Sequence, residues 1–264
     1  MIDNFENDEI KKELSIVQKL QNIADEINNL CSSEFAEKIE KWQQEEHVDN
    51  NLIFKAVWRH RYDSPTLSYC LATSFKWRVF TEESSKSAFE WFQIAAENGH
   101  MQSLNDLGDC YERGDGTVQN LSKAFENYLK AAKSGSIYGQ SNVGCAYYFG
   151  LGVDQDMEKA VCWLRKAANA NVPDAQYYLG SLYFNGDGVE CDERKAFYWL
   201  NLCGWYMCGY RIIMLGECYE QGRGTLVDVH AAIKCLYKTY QRVENSVIYD
   251  KFCDIFREED LSPM

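Results

Sequence analysis

The residues that first invite a chemical reading are paired glycines. Gly114/Gly116, Gly150/Gly152, Gly186/Gly188 and Gly222/Gly224 are four Gly-x-Gly pairs of the kind that can cradle a phosphate. A nucleotide loop of that sort needs a strand before it, a helix N-terminus after it and the spacing G-x-G-x-x-G. Here a helical pattern precedes each pair and the third glycine is missing, so the pairs read as turns. Asp154-x-Asp156-x-Glu158 alternates like a calcium loop but lacks the glycine at position six and the glutamate at position twelve. It reads as the acidic start of a helix, where the macrodipole favours negative charge. The four histidines (47, 60, 100 and 230) are scattered, and neither Cys-x-x-Cys nor His-x-x-x-His occurs, so no zinc site is expected. Ser-x-x-Lys, Gly-x-Ser-x-Gly and the glycine loop, HRD and DFG set of a kinase are also missing. The sequence predicts neither a catalytic constellation nor a cofactor.

A net charge of −13 over 264 residues, with no clustered basic patch, argues against nucleic acid or an anionic membrane surface as partner. A basic or neutral protein surface is the expected counterpart. The N-terminus MIDNFENDEIKKEL is polar and acidic, unlike a secretory signal, and no apolar run approaches membrane-spanning length. Eleven cysteines at irregular spacing do not pair at one repeat position. They are expected as reduced thiols of a cytoplasmic (or nuclear) chain. Cys110 and Cys218 share a repeat position with Ala146 and Leu182, which marks it as a small buried apolar site. Cys203 and Cys208, five residues apart, read as packing residues.

Helices must carry these residues. Three prolines and 46% apolar residues, with Ala, Leu, Glu, Lys and Gln abundant, favour helix over sheet. Over residues 9–30, Ile10, Leu14, Val17, Leu20, Ile23, Ala24, Ile27 and Leu30 fall in steps of three and four. Heptad lines also link Ile10, Val17 and Ala24, and Ile16, Ile23 and Leu30. The segment barely supplies three heptads, so it reads as a helix packed over the first repeat of the chain, with a dimer seam as the alternative. Ser32 or Ser33 is the expected cap of a second helix bearing Phe35, Ile39 and Trp42. Asn50 or Asn51 is that of a third, bearing Leu52, Ile53, Ala56 and Val57. Pro65 pushes Ser64 out of helical geometry, which sets the expected boundary of an N-terminal helical region at 1–65.

A repeat governs residues 66–242. Leu107-Gly108, Val143-Gly144, Leu179-Gly180 and Leu215-Gly216 stand 36 residues apart, and so do the Gly-x-Gly pairs. The same register holds Tyr111, Tyr147, Tyr183 and Tyr219, and Ala124, Ala160, Ala196 and Ala232. Such self-similarity marks stacked supersecondary units. An upstream copy is degenerate: Leu71 and Ala88 keep register, but Arg78-Val79-Phe80 replaces the glycine turn. The glycine after the leucine costs about 1 kcal/mol against alanine inside a helix, so a neighbouring helix is expected to approach closely there. Phe92, Tyr128, Trp163 and Trp199 are expected to fill the space between stacked pairs. Ala95-Ala96, Ala131-Ala132 and Ala167-Ala168 are expected to form close-packing faces. Residues 243–264 read as a closing helix, with Val247, Ile248, Phe252, Ile255 and Phe256, and a tail.

The pattern LG-x-x-Y-x-x-G-x-G-V, then KA, an aromatic and KAA-x-x-G, resembles the Sel-like repeat family, a relative of the tetratricopeptide repeats. The resemblance covers about residues 66–240. It implies an all-α superhelical solenoid of antiparallel helix pairs whose first helices line a concave protein-binding surface. Cys203-Gly204, Arg211 and Ala231 depart from the pattern in the last copy and suggest an outer, capping face. By analogy with tetratricopeptide positions, the first helices present Gln102, Asn105, Asp109 and Glu112; Tyr138, Ser141, Cys145 and Tyr148; Asp174, Tyr177, Ser181 and Phe184; and Tyr210, Ile213, Glu217 and Glu220. The middle of this set is aromatic and small and its ends are acidic, which suits a peptide with an apolar anchor flanked by Lys or Arg. The leading expectation is a non-enzymatic adaptor. The alternatives are a regulatory module associated with a signalling enzyme such as a kinase, and a hydrolase whose site has an unfamiliar form.

Overall fold

The computed structural model describes residues 2–26, 32–79, 84–203 and 210–243. Those residues form thirteen helices and no strand. In order they are α1 (Ile2–Glu26), α2 (Ser32–Glu46), α3 (Asn50–His60), α4 (Pro65–Trp77), α5 (Ser85–Glu97), α6 (Met101–Arg113), α7 (Leu121–Lys133), α8 (Ile137–Phe149), α9 (Met157–Asn169), α10 (Pro173–Asn185), α11 (Glu193–Leu202), α12 (Tyr210–Gln221) and α13 (Val229–Val243). They divide into two compact units, Met1–Gly139 and Gln140–Met264. The closing helix expected over 244–257 lies outside the described residues, as do Phe80 and Cys208.

In the first unit α1, α2 and α3 pack on α4, and α4 to α7 follow as successive neighbours. One core runs through it, from Ile16, Leu20 and Ile23 through Phe35, Ile39 and Ile53 to Leu71, Phe92 and Cys110. On α1 the buried line is Glu13, Ile16, Leu20 and Ile23, whereas Ile10 and Leu14 are exposed. The long N-terminal helix therefore lies over α3 and α4 with one narrow face. Ser64 is extended at φ −149°, as the following proline requires, and holds the N-cap position of α4 without a side-chain hydrogen bond to the helix. Two cap assignments differ from expectation. Asp49, extended at φ −69°, is the N-cap of α3, so Asn50 is already helical. Ser32 stands at the first residue of α2 and is drawn into tertiary hydrogen bonds instead.

The second unit shows the repeat most plainly, and α10–α11 serves as reference. Gly186 ends α10 in the left-handed region at φ 79°, its N–H donating to the Leu182 carbonyl, a conformation that only glycine enters without cost. Asp192 then caps α11 by accepting from the Lys195 N–H at 3.0 Å. The Asp192 N–H closes the turn on the Tyr183 carbonyl at 3.1 Å. Lys195 Nζ lies 5.3 Å from the Tyr183 ring centre; Lys159 over Tyr147 and, in the first unit, Lys123 over Tyr111 repeat this at 5.2 and 5.3 Å. The tyrosine and lysine of the motif are thus one cation–π contact between the two helices of a copy. Ala231, standing in the lysine's place, removes it from the last copy. Asp156, read from the sequence as a helix start, caps α9 in the same way, 2.9 Å from the Lys159 N–H.

The helical glycines do seat a neighbour. A Cβ on Gly180 would lie 2.9 Å from Leu200 Cγ, and one on Gly144 2.6 Å from Leu164 Cγ. In the first unit Tyr128 covers Gly108 in the same way, at 2.3 Å. This corrects part of the aromatic assignment. Phe92 and Tyr128 are buried, but their register equivalents are Leu164 and Leu200, not Trp163 and Trp199. One residue along a helix is a 100° turn, which leaves both tryptophans half-buried; Lys166 Nζ stands 4.3 Å from the Trp163 ring centre. Cys110, Ala146, Leu182 and Cys218 are all buried, as their shared position implies.

Candidate functional site

Within the first unit, the expected acidic end is engaged by the protein itself. Asp106 and Asp109 on α6 converge on Lys76 of α4, whose Nζ lies 3.0 Å from Asp106 and 3.9 Å from Asp109. Lys76 also donates to Ser32 Oγ at 3.2 Å, which accepts from Trp77 Nε1 as well. The Tyr128 hydroxyl of α7 sits 2.8 Å from both Asp109 Oδ1 and Glu112 Oε2. A phenol has one proton to donate, so it serves two carboxylates with a single hydrogen bond at a time.

The charges follow from this crowding. Burial alone would lower the Lys76 pKa, but Asp106 and then Asp109 outweigh it and hold the ammonium above its usual range. Burial, then the charge of Asp106, raises the Asp109 carboxyl to about 6. Burial followed by Asp109 and Glu112 pushes the Tyr128 phenol far up. A carboxyl whose folded pKa exceeds its unfolded value favours folding below the unfolded pKa. That contribution is lost as pH rises through the folded one, here from about 4 to about 6. Asp109→Asn is therefore expected to gain on the parent in melting temperature across pH 4 to 6, with the gain level above that window. Parallel melting curves for the two proteins would refute it.

The other expected residues of this unit divide by depth. Asn105 is buried at 4% exposure, whereas the Tyr138 hydroxyl at the start of α8 donates to Glu34 of α2 at 3.3 Å. Gln102 is half-buried. Lys76 was not among the expected residues, yet it stands 36 positions before Glu112. Carrying the register back into the degenerate copy would have found it.

In the second unit two of the expected residues, Tyr148 and Tyr177, belong to one aromatic cluster. Tyr148 and Phe149 close α8, and Tyr177 and Tyr178 lie on α10. Tyr178 has its ring centre 5.4 Å from Tyr148, 5.5 Å from Phe149 and 5.1 Å from Tyr177. Phe149 is half exposed and the three tyrosines half-buried. Tyr178 and Phe149 are not reached by sequence reasoning because adjacent residues on one helix ordinarily point apart. Phe149, the last residue of α8, meets Tyr178 from within α10, and so both rings join the cluster. Phe184 is half-buried with the Arg223 guanidinium 3.5 Å above its ring, and Arg223 Nε donates to Glu193 at 2.7 Å. Ser141 and Ser181 are buried at 4% and 6%. Cys145, Ile213, Glu217 and Glu220 are half-buried and Asp174 is exposed. The backbone of Tyr210 opens α12; its side chain lies outside the described residues.

One Ser–His pair has a chemical look. His100 Nδ1 lies 3.0 Å from Ser103 Oγ and accepts from the Ser103 N–H at 3.3 Å. Ser103 is fully buried. Burial lowers the His100 pKa to about 4, so the ring is neutral and stacks 4.2 Å from Tyr69. The pair is a helix cap. Among the described residues no group of His, Cys, Asp and Glu could hold a metal ion, and no helix is long and apolar enough to cross a membrane.

Comparison with known proteins agrees with this architecture. The family model described as Sel1 repeat matches residues 69–100, 102–136, 137–172, 173–202 and 212–242. No curated protein matches the chain. The crystal structure of c5321, a protective antigen of uropathogenic Escherichia coli displaying an SLR fold, is similar at a TM-score of 0.73 and 21% identity. That match covers 91% of this chain and 52% of the antigen, so the chain spans about half of the antigen's length. A Sel1 repeat protein from Oxalobacter formigenes is similar at a TM-score of 0.62 and 23% identity, over 71% of this chain and 79% of that one.

Proposed function

Because the chain belongs to the Sel1 repeat family, whose members commonly act as protein-interaction modules, we propose that it is a non-enzymatic adaptor. It holds a protein or peptide partner on the first helices of its repeats. The observation that carries this reading is the Tyr148–Phe149–Tyr177–Tyr178 cluster. Tyr177 also packs against the core of Leu200, Ile212 and Leu215, but Phe149 is half exposed and the three tyrosines keep part of their surface in solvent. Partly exposed aromatics of this kind anchor partners. The partner we infer is a segment with an apolar anchor and basic flanks, in keeping with the net charge of −13. Helices α1–α3, which share a core with the first repeat, serve as the N-terminal cap of the array over residues 1–65.

Tyr148→Ala with Tyr177→Ala tests this. The double variant is expected to keep its helical circular dichroism and to lose, in cross-linking followed by mass spectrometry, proteins that the parent captures. Unchanged capture would remove the cluster from the binding surface.

A further inference from the structure

A second aromatic cluster lies in the first unit, on α3, the turn after it and α5. Trp58 on α3, Tyr62 in the turn after it and Trp91 on α5 meet with ring centres 5.8 Å apart for both Trp58–Trp91 and Tyr62–Trp91. Trp58 is 42% exposed and Tyr62 64% exposed, while Trp91 is buried beneath them. A cation already occupies the cluster. The Arg61 guanidinium carbon lies 4.4 Å from the Trp58 ring centre and 4.7 Å from that of Tyr62.

We propose that Trp58, Tyr62 and Trp91 form a cation clamp for an arginine side chain of a partner protein, with Arg61 as its resident and displaceable occupant. The chemistry of the ligand is read from that occupant: a flat guanidinium stacks on ring faces, and desolvation strengthens the contact. Arg61 is a poorly satisfied tenant. Its Nη1 donates to the Trp58 carbonyl, but its Nε is buried with no acceptor among the described residues, and no carboxylate pairs with it there. A buried donor without an acceptor is costly. Arg59, two residues earlier, has by contrast a carboxylate in Glu13. A guanidinium arriving on a partner's long stem enters from the solvent side and keeps its outer donors in water. The chain's net charge of −13 favours such a basic segment.

The test uses the full chain and two fluorescent peptides, Gly-Ala-Arg-Ala-Gly and the same peptide with neutral citrulline for arginine, with binding read by anisotropy. Arg61→Ala empties the clamp and is expected to bind the arginine peptide about tenfold more tightly than the parent, as removal of a self-occupant held nine-tenths of the time requires. The citrulline peptide is expected to gain nothing. Adding Trp58→Leu to Arg61→Ala is expected to abolish the gain, and Tyr62→Leu, at the more exposed ring, to reduce it with helicity intact. Three results each overturn the proposal: no tightening in Arg61→Ala, equal binding of both peptides, or a gain that survives loss of the rings. The last would show general attraction to an acidic surface.

Discussion

Gly188→Ala is expected to cost the second unit about 3–4 kcal/mol, from left-handed geometry and overpacking together. Gly188 is the second glycine of its turn, at φ 65°, and a Cβ there would lie 2.4 Å from the main-chain carbon of Met157, the first residue of α9. The turn of one copy is therefore seated on the start of the preceding second helix. Gly116 sits on Ser85 and Gly224 on Glu193 in the same way. Gly135→Ala separates the two contributions. Gly135 has φ 97°, but a Cβ there meets nothing within 4 Å, so only the backbone cost of about 1–2 kcal/mol remains. Equal losses for the two variants in chemical denaturation would show that the close approach at Gly188 is without consequence.

Lys76→Met is expected to destabilise the first unit by about 3–5 kcal/mol at pH 8, the range for breaking one side of a buried ion pair. The methionine keeps the aliphatic stem but leaves Asp106, with 2% of its side chain exposed, without its 3.0 Å partner. It also removes the cation nearest Asp109 after burial and Asp106 have raised that carboxyl to about 6. Part of the loss is therefore expected to vanish at pH 5, where Asp109 holds a proton. A loss under about 1 kcal/mol at pH 8, or one independent of pH, would mean that Lys76 and Asp106 are solvated in solution, as exposed pairs are.

Where the repeat holds its register, the structure could be read from the chain. The spacing of 36 residues placed Gly180 under a neighbouring side chain and the Gly-x-Gly pair at a helix end. The alanine pairs were placed as well: a Cβ on Gly139 would come within 2.9 Å of Ala131 Cβ. What stayed hidden depends on angles and on distance along the chain. Trp163 beside Leu164 is a matter of one residue's rotation, and a conspicuous aromatic attracted the role that belonged to the leucine. Asp49 rather than Asn50 caps α3 because either residue type suits that role, and only the backbone decides. The candidate surface was half legible. Its tyrosines came from register, but the tie between Lys76 and Asp106 joins residues 30 positions apart. The register, carried back into the degenerate copy, places Lys76 at the repeat position of Glu112, but it does not pair it with Asp106. The Arg61 clamp depends on Trp91 of another helix, a partner that no spacing within α3 reveals.

The seat of Gly188 on Met157 has a genetic consequence. A crowded side chain can be trimmed, so a bulky change at Gly180 is open to rescue by a smaller residue at position 200, the leucine that faces it. At Gly188 the opposing atoms nearest the new carbon include the main-chain carbon and oxygen of Met157, at 2.4 and 2.7 Å. Every amino acid carries those atoms. A suppressor screen on a Gly180 variant should yield compensating changes in α11, whereas one on a Gly188 variant should return only revertants.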